Sequence, residues 1–202
     1  RTIPIRPVAA VQRGHTPNLR APPPLALYVH FPWCVRKYPY CDFNSHAVKE
    51  EGIPETAYIQ AMLDDLQHAL PQVWGRRLST IFIGGGTPSL LLPDQIAGIM
   101  EAVDAAFVMN ADAEFTAEAN PNDLTLPYLK MLRAAGINRL SIGMQSAIES
   151  ELRLFDRRHD VASVADSVEA ARRAGFDNLS LDLIYGVPGQ TLESWRDSLD
   201  FA

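Results

Sequence analysis

Cysteine is scarce in this chain: Cys34 and Cys41 are the only two in 202 residues. Two thiols cannot build the disulfide framework of a small secreted domain, so a reducing, cytoplasmic setting is the default expectation. Long apolar runs are missing too. None approaches the roughly eighteen residues needed to cross a bilayer, so the sequence reads as not membrane-spanning, with any membrane association arising through partners. Positive charge is in the minority, with 18 Lys and Arg against 24 Asp and Glu, a net of −6. That balance argues against non-specific binding to nucleic acid.

Acid is absent altogether from residues 1–24, which hold Arg1, Arg6, Arg13, Arg20 and six of the 15 prolines. The remainder then has 14 basic against 24 acidic residues, a net of −10. Such a leader has too little apolar surface to fold and reads as a disordered tail. An organellar transit peptide is the alternative, although the stretch has no serine and its prolines spoil an amphipathic helix.

What is present from Leu25 onward is alternation. Strand-like runs occur at Leu25–Phe31, Leu78–Ile83, Ala113–Glu118, Arg139–Met144 and Leu179–Ile184. Helical stretches at Glu55–Leu70, Pro93–Phe107, Leu124–Ala135 and Ala162–Ala174 separate them, two of them ending at Gly136 and Gly175. Strand and helix in alternation imply right-handed crossovers and a parallel sheet, an α/β fold. Side-chain parity refines this. Glu114, Thr116 and Glu118 share one face and Ala113, Phe115 and Ala117 the other; Ser141, Gly143 and Gln145 oppose Leu140, Ile142 and Met144; Ser180 and Asp182 oppose Leu181 and Leu183. A doubly wound sheet needs both faces apolar, whereas one small or polar face suits a partial parallel (βα) barrel. The polar parity ends at Glu118, Gln145 and Asp182, at the strand ends where such folds place chemistry. Each of the three also has a bland reading, as a helix cap or the partner of a nearby arginine. Thr191–Ala202 begins an amphipathic helix in which the sequence stops, so residues 25–202 read as the N-terminal part of a barrel domain truncated after about five βα units.

Two loops on that rim carry chemistry. Leu27–His46 runs from the first strand into a loop holding both thiols, a soft donor type suited to metal. A zinc site from Cys34, Cys41, His30 and His46 fits no standard spacing. Gly84-Gly-Gly-Thr-Pro-Ser89 follows the second strand; its glycines allow close backbone approach and offer N–H groups to a carboxylate or phosphate, or carbonyls to an ammonium group. It is neither a dinucleotide fingerprint nor a phosphate loop. Of the histidines, His46 and His68 (the latter within a helix) read equally as surface residues or as ligands, while His159, after Arg157 and Arg158, is a candidate for a cofactor-side loop.

Six blocks together resemble the radical S-adenosylmethionine family: Tyr28-Val-His-Phe-Pro-Trp-Cys34, the cysteine loop, Gly84-Gly-Gly-Thr-Pro88, Glu118-Ala-Asn-Pro121, Ser141-Ile-Gly-Met-Gln-Ser146 and Asp182-Leu-Ile-Tyr-Gly-Val-Pro-Gly189. Within the family they are similar to the coproporphyrinogen-oxidase-like branch, and within that to its heme chaperones of the HemW type. The resemblance implies a Cys-x3-Cys-x2-Cys loop whose thiolates bind a [4Fe–4S] cluster, with S-adenosylmethionine on the open iron. Cys34 and Cys41 match the first and third ligands. Tyr28, Tyr40, Gly85, Gly86, Thr87, Glu118, Gln145, Arg157 and Asp182 match cofactor-binding positions, and no side chain is assigned a catalytic role. The implied chemistry is the cofactor's: reductive cleavage of the sulfonium to a 5′-deoxyadenosyl radical. Coproporphyrinogen dehydrogenases carry another cysteine two places after the third ligand, where this chain has Phe43. The run Cys41-Asp-Phe-Asn-Ser-His46 resembles the heme chaperones instead, implying heme and heme-accepting apoproteins, such as respiratory-chain enzymes, as partners. Two further readings stand beside this one: a porphyrinogen oxidase and a cluster-free binding protein.

The chain departs from the pattern at Tyr38, which stands where the family has its middle cysteine. A phenol is a hard oxygen donor with a pKa near 10, not a readily ionised thiolate. A mixed phenolate site is one reading; loss of the cluster is the one preferred. Anaerobic reconstitution of the protein is therefore expected to incorporate little iron and sulfide, and Tyr38→Cys to raise both toward one cluster per chain. Full occupancy in the Tyr38 form would refute this.

Overall fold

The computed structural model describes residues 20–202, so most of the basic leader lies outside the described residues. In chain order the elements are β1 (Leu25–Phe31), the two-residue strands β2 (Trp33–Cys34) and β3 (His46–Ala47), α1 (Glu55–Val73), β4 (Leu78–Gly85), α2 (Pro93–Ala106), β5 (Met109–Ala119), α3 (Leu126–Ala134), β6 (Arg139–Gln145), α4 (Glu149–Leu154), α5 (Val161–Arg173), β7 (Asn178–Leu183) and α6 (Leu192–Phe201). The large sheet is parallel throughout and ordered β1-β4-β5-β6-β7. Every new strand is added on the same side of the last, whereas a doubly wound sheet reverses direction midway. The architecture is an α/β fold with a partial parallel (βα) barrel, as the strand parities predicted.

The sequence ends three of the helices in a readable way. Side chains of Thr125, Asp160 and Thr191 accept the N–H groups of Tyr128, Ser163 and Ser194, capping α3, α5 and α6. Gly136 and Gly175, with φ of 101° and 91°, take the left-handed turns after α3 and α5 that a side chain would resist. Helix α1 runs past the expected end at Leu70 to Val73, because Pro71 falls in its last turn, where it breaks the ladder only just before the helix ends. The short helix α4 was not anticipated. Among the described residues no helix is long and apolar enough to cross a membrane.

One face of the sheet supplies the core. Ile81, Ile83, Ala117, Leu140 and Ile142 point out from the strands and meet Ile96, Ile99 and Val103 of α2, Leu129 and Leu132 of α3, Ala171 of α5 and the following Phe176. Each is almost wholly withdrawn from water. Full burial of one such aliphatic side chain contributes about 1.5–3 kcal/mol, so this layer fixes how the strands stand. The opposite parity carries mostly small and polar residues, Phe82 excepted, and it faces the cavity described next.

Candidate functional site

At the C-terminal ends of the strands lies a cavity of about 520 Å³, whose lining includes Cys34, Tyr38, Cys41, Glu118, Gln145 and Asp182. Tyr40, Gly85, Gly86, Thr87 and Arg157 also line it. The sequence-predicted positions therefore converge, with one exception. Tyr28 is outside the lining and 55% exposed; its hydroxyl meets His30 Nδ1 at 2.9 Å and its ring lies beside Phe82, which is in the wall.

The glycines at and just after the end of β4 make room for protein groups before any ligand arrives. A Cβ on Gly84 would stand 2.7 Å from Glu118 Oε2, one on Gly85 2.5 Å from the His30 ring, and one on Gly86 2.5 Å from the Trp33 carbonyl oxygen. Gly85 also has φ of 115°, outside the reach of ordinary side chains. The sequence left the loop two uses, N–H groups to an anion or carbonyls to an ammonium group, and the N–H groups of residues 85–87 are already engaged within the protein. Gly85 donates to Glu118 Oε2 (3.0 Å), Gly86 to the Phe31 carbonyl (2.6 Å) and Thr87 to that of Trp33 (2.8 Å). The loop thus holds a carboxylate of the protein itself and turns that charge toward the cavity.

Burial pushes the Glu118 carboxyl above its usual range; the Gly85 N–H opposes the shift and the charge of Asp182 adds to it. Asp182 is also raised by burial, against the Ser141 hydroxyl, which donates at 2.8 and 3.0 Å, and against Arg139. Two carboxyls held this way favour a cationic ligand, which would relieve both penalties. Gln145 adopts φ of 67°, a left-handed conformation uncommon outside glycine, and is pinned there because its carbonyl accepts the Ile184 N–H (2.9 Å).

Arg157 joins the two sides of the mouth. Its guanidinium donates to Asn120 Oδ1 (2.6 Å), the Gly143 carbonyl (2.8 Å), the Tyr40 hydroxyl (3.1 Å) and His159 Nδ1 (3.4 Å). The buried His159 fixes this from behind: its Nε2 reaches the Met144 carbonyl at 3.0 Å, and burial and the neighbouring guanidinium lower its pKa, keeping the ring neutral. Asn120 also reaches Thr87 (3.4 Å). Sequence reasoning did not single Asn120 out, although it sits in the Glu118-Ala-Asn-Pro block. His46 is exposed on β3, and His68 binds the Asp64 carbonyl on α1.

The cysteine loop holds two of the three thiols of the cluster that the family resemblance implies. Cys34 is buried on β2, and Cys41, whose N–H bonds the Tyr38 carbonyl, places its Sγ 3.4 Å from Ser45 Oγ. Tyr38 presents its ring rather than a soft donor: the guanidinium carbon of Arg157 lies 4.5 Å from the ring centroid, and the ring stacks parallel to Tyr40 at 5.8 Å. Among the described residues no three His, Cys, Asp or Glu side chains gather as a metal site, so the zinc set imagined from the sequence is not assembled. Two thiols and a phenol engaged through its ring do not fit a [4Fe–4S] cluster, and no step is assigned to one.

The model for the radical SAM superfamily matches residues 28–202. The chain belongs to the radical SAM superfamily. Within it, the chain is 44% identical over 171 residues to the heme chaperone HemW of Escherichia coli K12, covering 85% of this chain and 45% of that protein. It is 39% identical over 174 residues to the bovine radical S-adenosyl methionine domain-containing protein 1, mitochondrial, covering 86% and 39%. Among solved structures, the coproporphyrinogen III oxidase HemN of Escherichia coli superposes with a TM-score of 0.78 at 37% identity, covering 88% of this chain and 41% of that one. This radical SAM chain is closely related to the HemW heme chaperones and spans less than half the length of these relatives.

Gly143 tests the carved inner face. A Cβ there would lie 2.7 Å from Gln145 Nε2 and 3.2 Å from the Arg157 guanidinium. Gly143→Ala is expected to cost about 1–3 kcal/mol in urea denaturation and to alter the near-ultraviolet tyrosine signal as Arg157 leaves Tyr38 and Tyr40. An unchanged spectrum and midpoint would show that the inner face has slack.

Proposed function

We propose that the chain is the S-adenosylmethionine-binding part of a heme chaperone, working with heme and heme-accepting apoproteins. The observation that carries the first half is the convergence of Glu118, Gln145 and Asp182 with the Gly85–Thr87 loop on one cavity. Two half-buried carboxyls suit a sulfonium and an ammonium group, and the rings of Tyr40, Phe43 and Phe82 give a planar base an apolar wall. These residues fit S-adenosylmethionine, which when bound would supply an activated sulfonium. The heme-handling half rests on the similarity to HemW proteins over residues that include the Cys41–His46 run. A porphyrinogen oxidase would need a radical generated at a cluster, which the donor set here does not support. Tyr38 instead favours the cluster-free binding reading as the runner-up.

Equilibrium dialysis against S-adenosylmethionine and against the uncharged thioether S-adenosylhomocysteine tests the ligand. Glu118→Gln should weaken binding of the sulfonium about tenfold or more, since it removes a charged partner from a half-buried site. The pH dependence has a definite sign. The carboxyl pKa values are raised in the free protein, so a cation that requires the ionised forms must displace protons. Affinity should therefore fall as pH is lowered from neutrality through the raised carboxyl range, above the ordinary value of about 4, and fall less for the thioether. Equal affinity in Glu118→Gln, or no pH dependence, would remove the ligand assignment. Heme transfer to an apocytochrome without decarboxylation of coproporphyrinogen III is the expected outcome for the chaperone reading; decarboxylation would favour the oxidase.

A further inference from the structure

The cysteine loop is fastened to the corner that follows α4 by contacts that involve no thiol. The Tyr38 ring lies under Arg157, and Tyr40 meets Phe155 edge-on at 5.1 Å and accepts a hydrogen bond from Arg157. Arg36 adds an ion pair with Asp156. The corner itself is rigidly built: Asp156 takes φ of 58°, and Arg157 is anchored on Asn120 and Gly143 at the strand ends. Within the loop, Lys37 Nζ reaches the carbonyls of Phe43 and Ser45, both at 3.2 Å, while Cys41, His46 and Val48 donate N–H groups to Tyr38, Pro32 and Cys34.

We infer that in this chain the Tyr38–Tyr40–Arg157 clamp takes over the ordering of residues 34–46, so that this wall of the cavity is held in place without iron. Three features of the geometry point the same way. The substituting side chain is engaged through its ring, which needs no metal. The cation it meets is held by the barrel and not by the loop, so the contact transmits the position of the strands to the loop. Lys37, Cys41 and Ser45 find partners inside the loop without a metal. The inference concerns the loop alone, and it stands or falls independently of the ligand proposed for the cavity.

Amide hydrogen exchange on the iron-free protein, with chelator present, tests it without any ligand. The Cys41, His46 and Val48 amides should be protected in the Tyr38 form, unchanged by added iron and sulfide. Tyr38→Phe, which keeps the ring, should retain this protection. Tyr38→Ala and iron-free Tyr38→Cys, which lose it, should exchange these amides about tenfold faster, as expected when a cation–π contact is removed. Exchange in β6, Arg139–Gln145, should stay unchanged in all variants and so reports that the barrel is intact. Fast exchange in the iron-free Tyr38 form, protection gained only on adding iron, or equal protection in Tyr38→Ala would each overturn the inference.

Discussion

A parallel sheet built by adding every strand on one side can clothe only one of its faces with its own crossover helices. That constraint governs the rest of this molecule. The outer parity is apolar because α2, α3 and α5 lie on it, and the inner parity is released from packing and free to carry polar groups. Register then lines those groups up. Glu118 pairs with Ser141 and Ser141 with Ser180, so that neighbouring strands deliver polar side chains at one height near the rim. A site with several contributing strands follows from topology before any single residue is considered.

Space on the inner face is made by omission. Gly84 and Gly143 lack the Cβ atoms that would collide with Glu118 and with Gln145 and Arg157. The volume so released is taken by side chains whose polar atoms satisfy one another, and among the described residues no buried side-chain nitrogen or oxygen lacks a partner. The same economy operates behind the rim. Glu151 on α4, buried without a cation, accepts from Ser146, Gln190 and Ser194, tying the end of β6 to the loop after β7 and to the start of α6. A buried carboxylate with three donors is tolerable, whereas one left bare would not be.

These relations differ in how far they can be read from residues. The strands of the barrel and the helix ends at Gly136 and Gly175 follow from local pattern, and β1 spans Leu25–Phe31 as predicted. Helix α4 has six residues, too few for a periodicity to show, and β2 and β3 have two each. Strand β5 begins at Met109 and not at Ala113, because Arg77 grips the Met109 carbonyl and the Asn110 side chain, a contact 32 and 33 residues away that no window sees. Parity picked out Glu118, Gln145 and Asp182, since the inner face repeats every second residue. The roles of Asn120 and Gly143 escaped it, because both act by what they leave or lend to Arg157, which arrives from another element. The Gly84–Thr87 loop read as offering either N–H groups to an anion or carbonyls to an ammonium group; its N–H groups serve Glu118, the end of β1 and the start of β2, which leaves the second use open.

Tyr38 concentrates the remaining argument. A tyrosine in a thiolate position can act through its oxygen or through its ring, and the two have different consequences. Acting through oxygen would require the phenol to ionise against a pKa near 10 and to serve as a hard donor beside two soft ones. Acting through the ring requires only a planar cation nearby, and Arg157 is already fixed there by Asn120 and Gly143 at no further ordering cost to the loop. A half-buried contact of this kind contributes about 0.5–2 kcal/mol and is independent of oxidation state. The surrounding barrel would favour the ring even if iron were abundant, because the guanidinium that engages it is held by the strand ends whether or not a metal is bound.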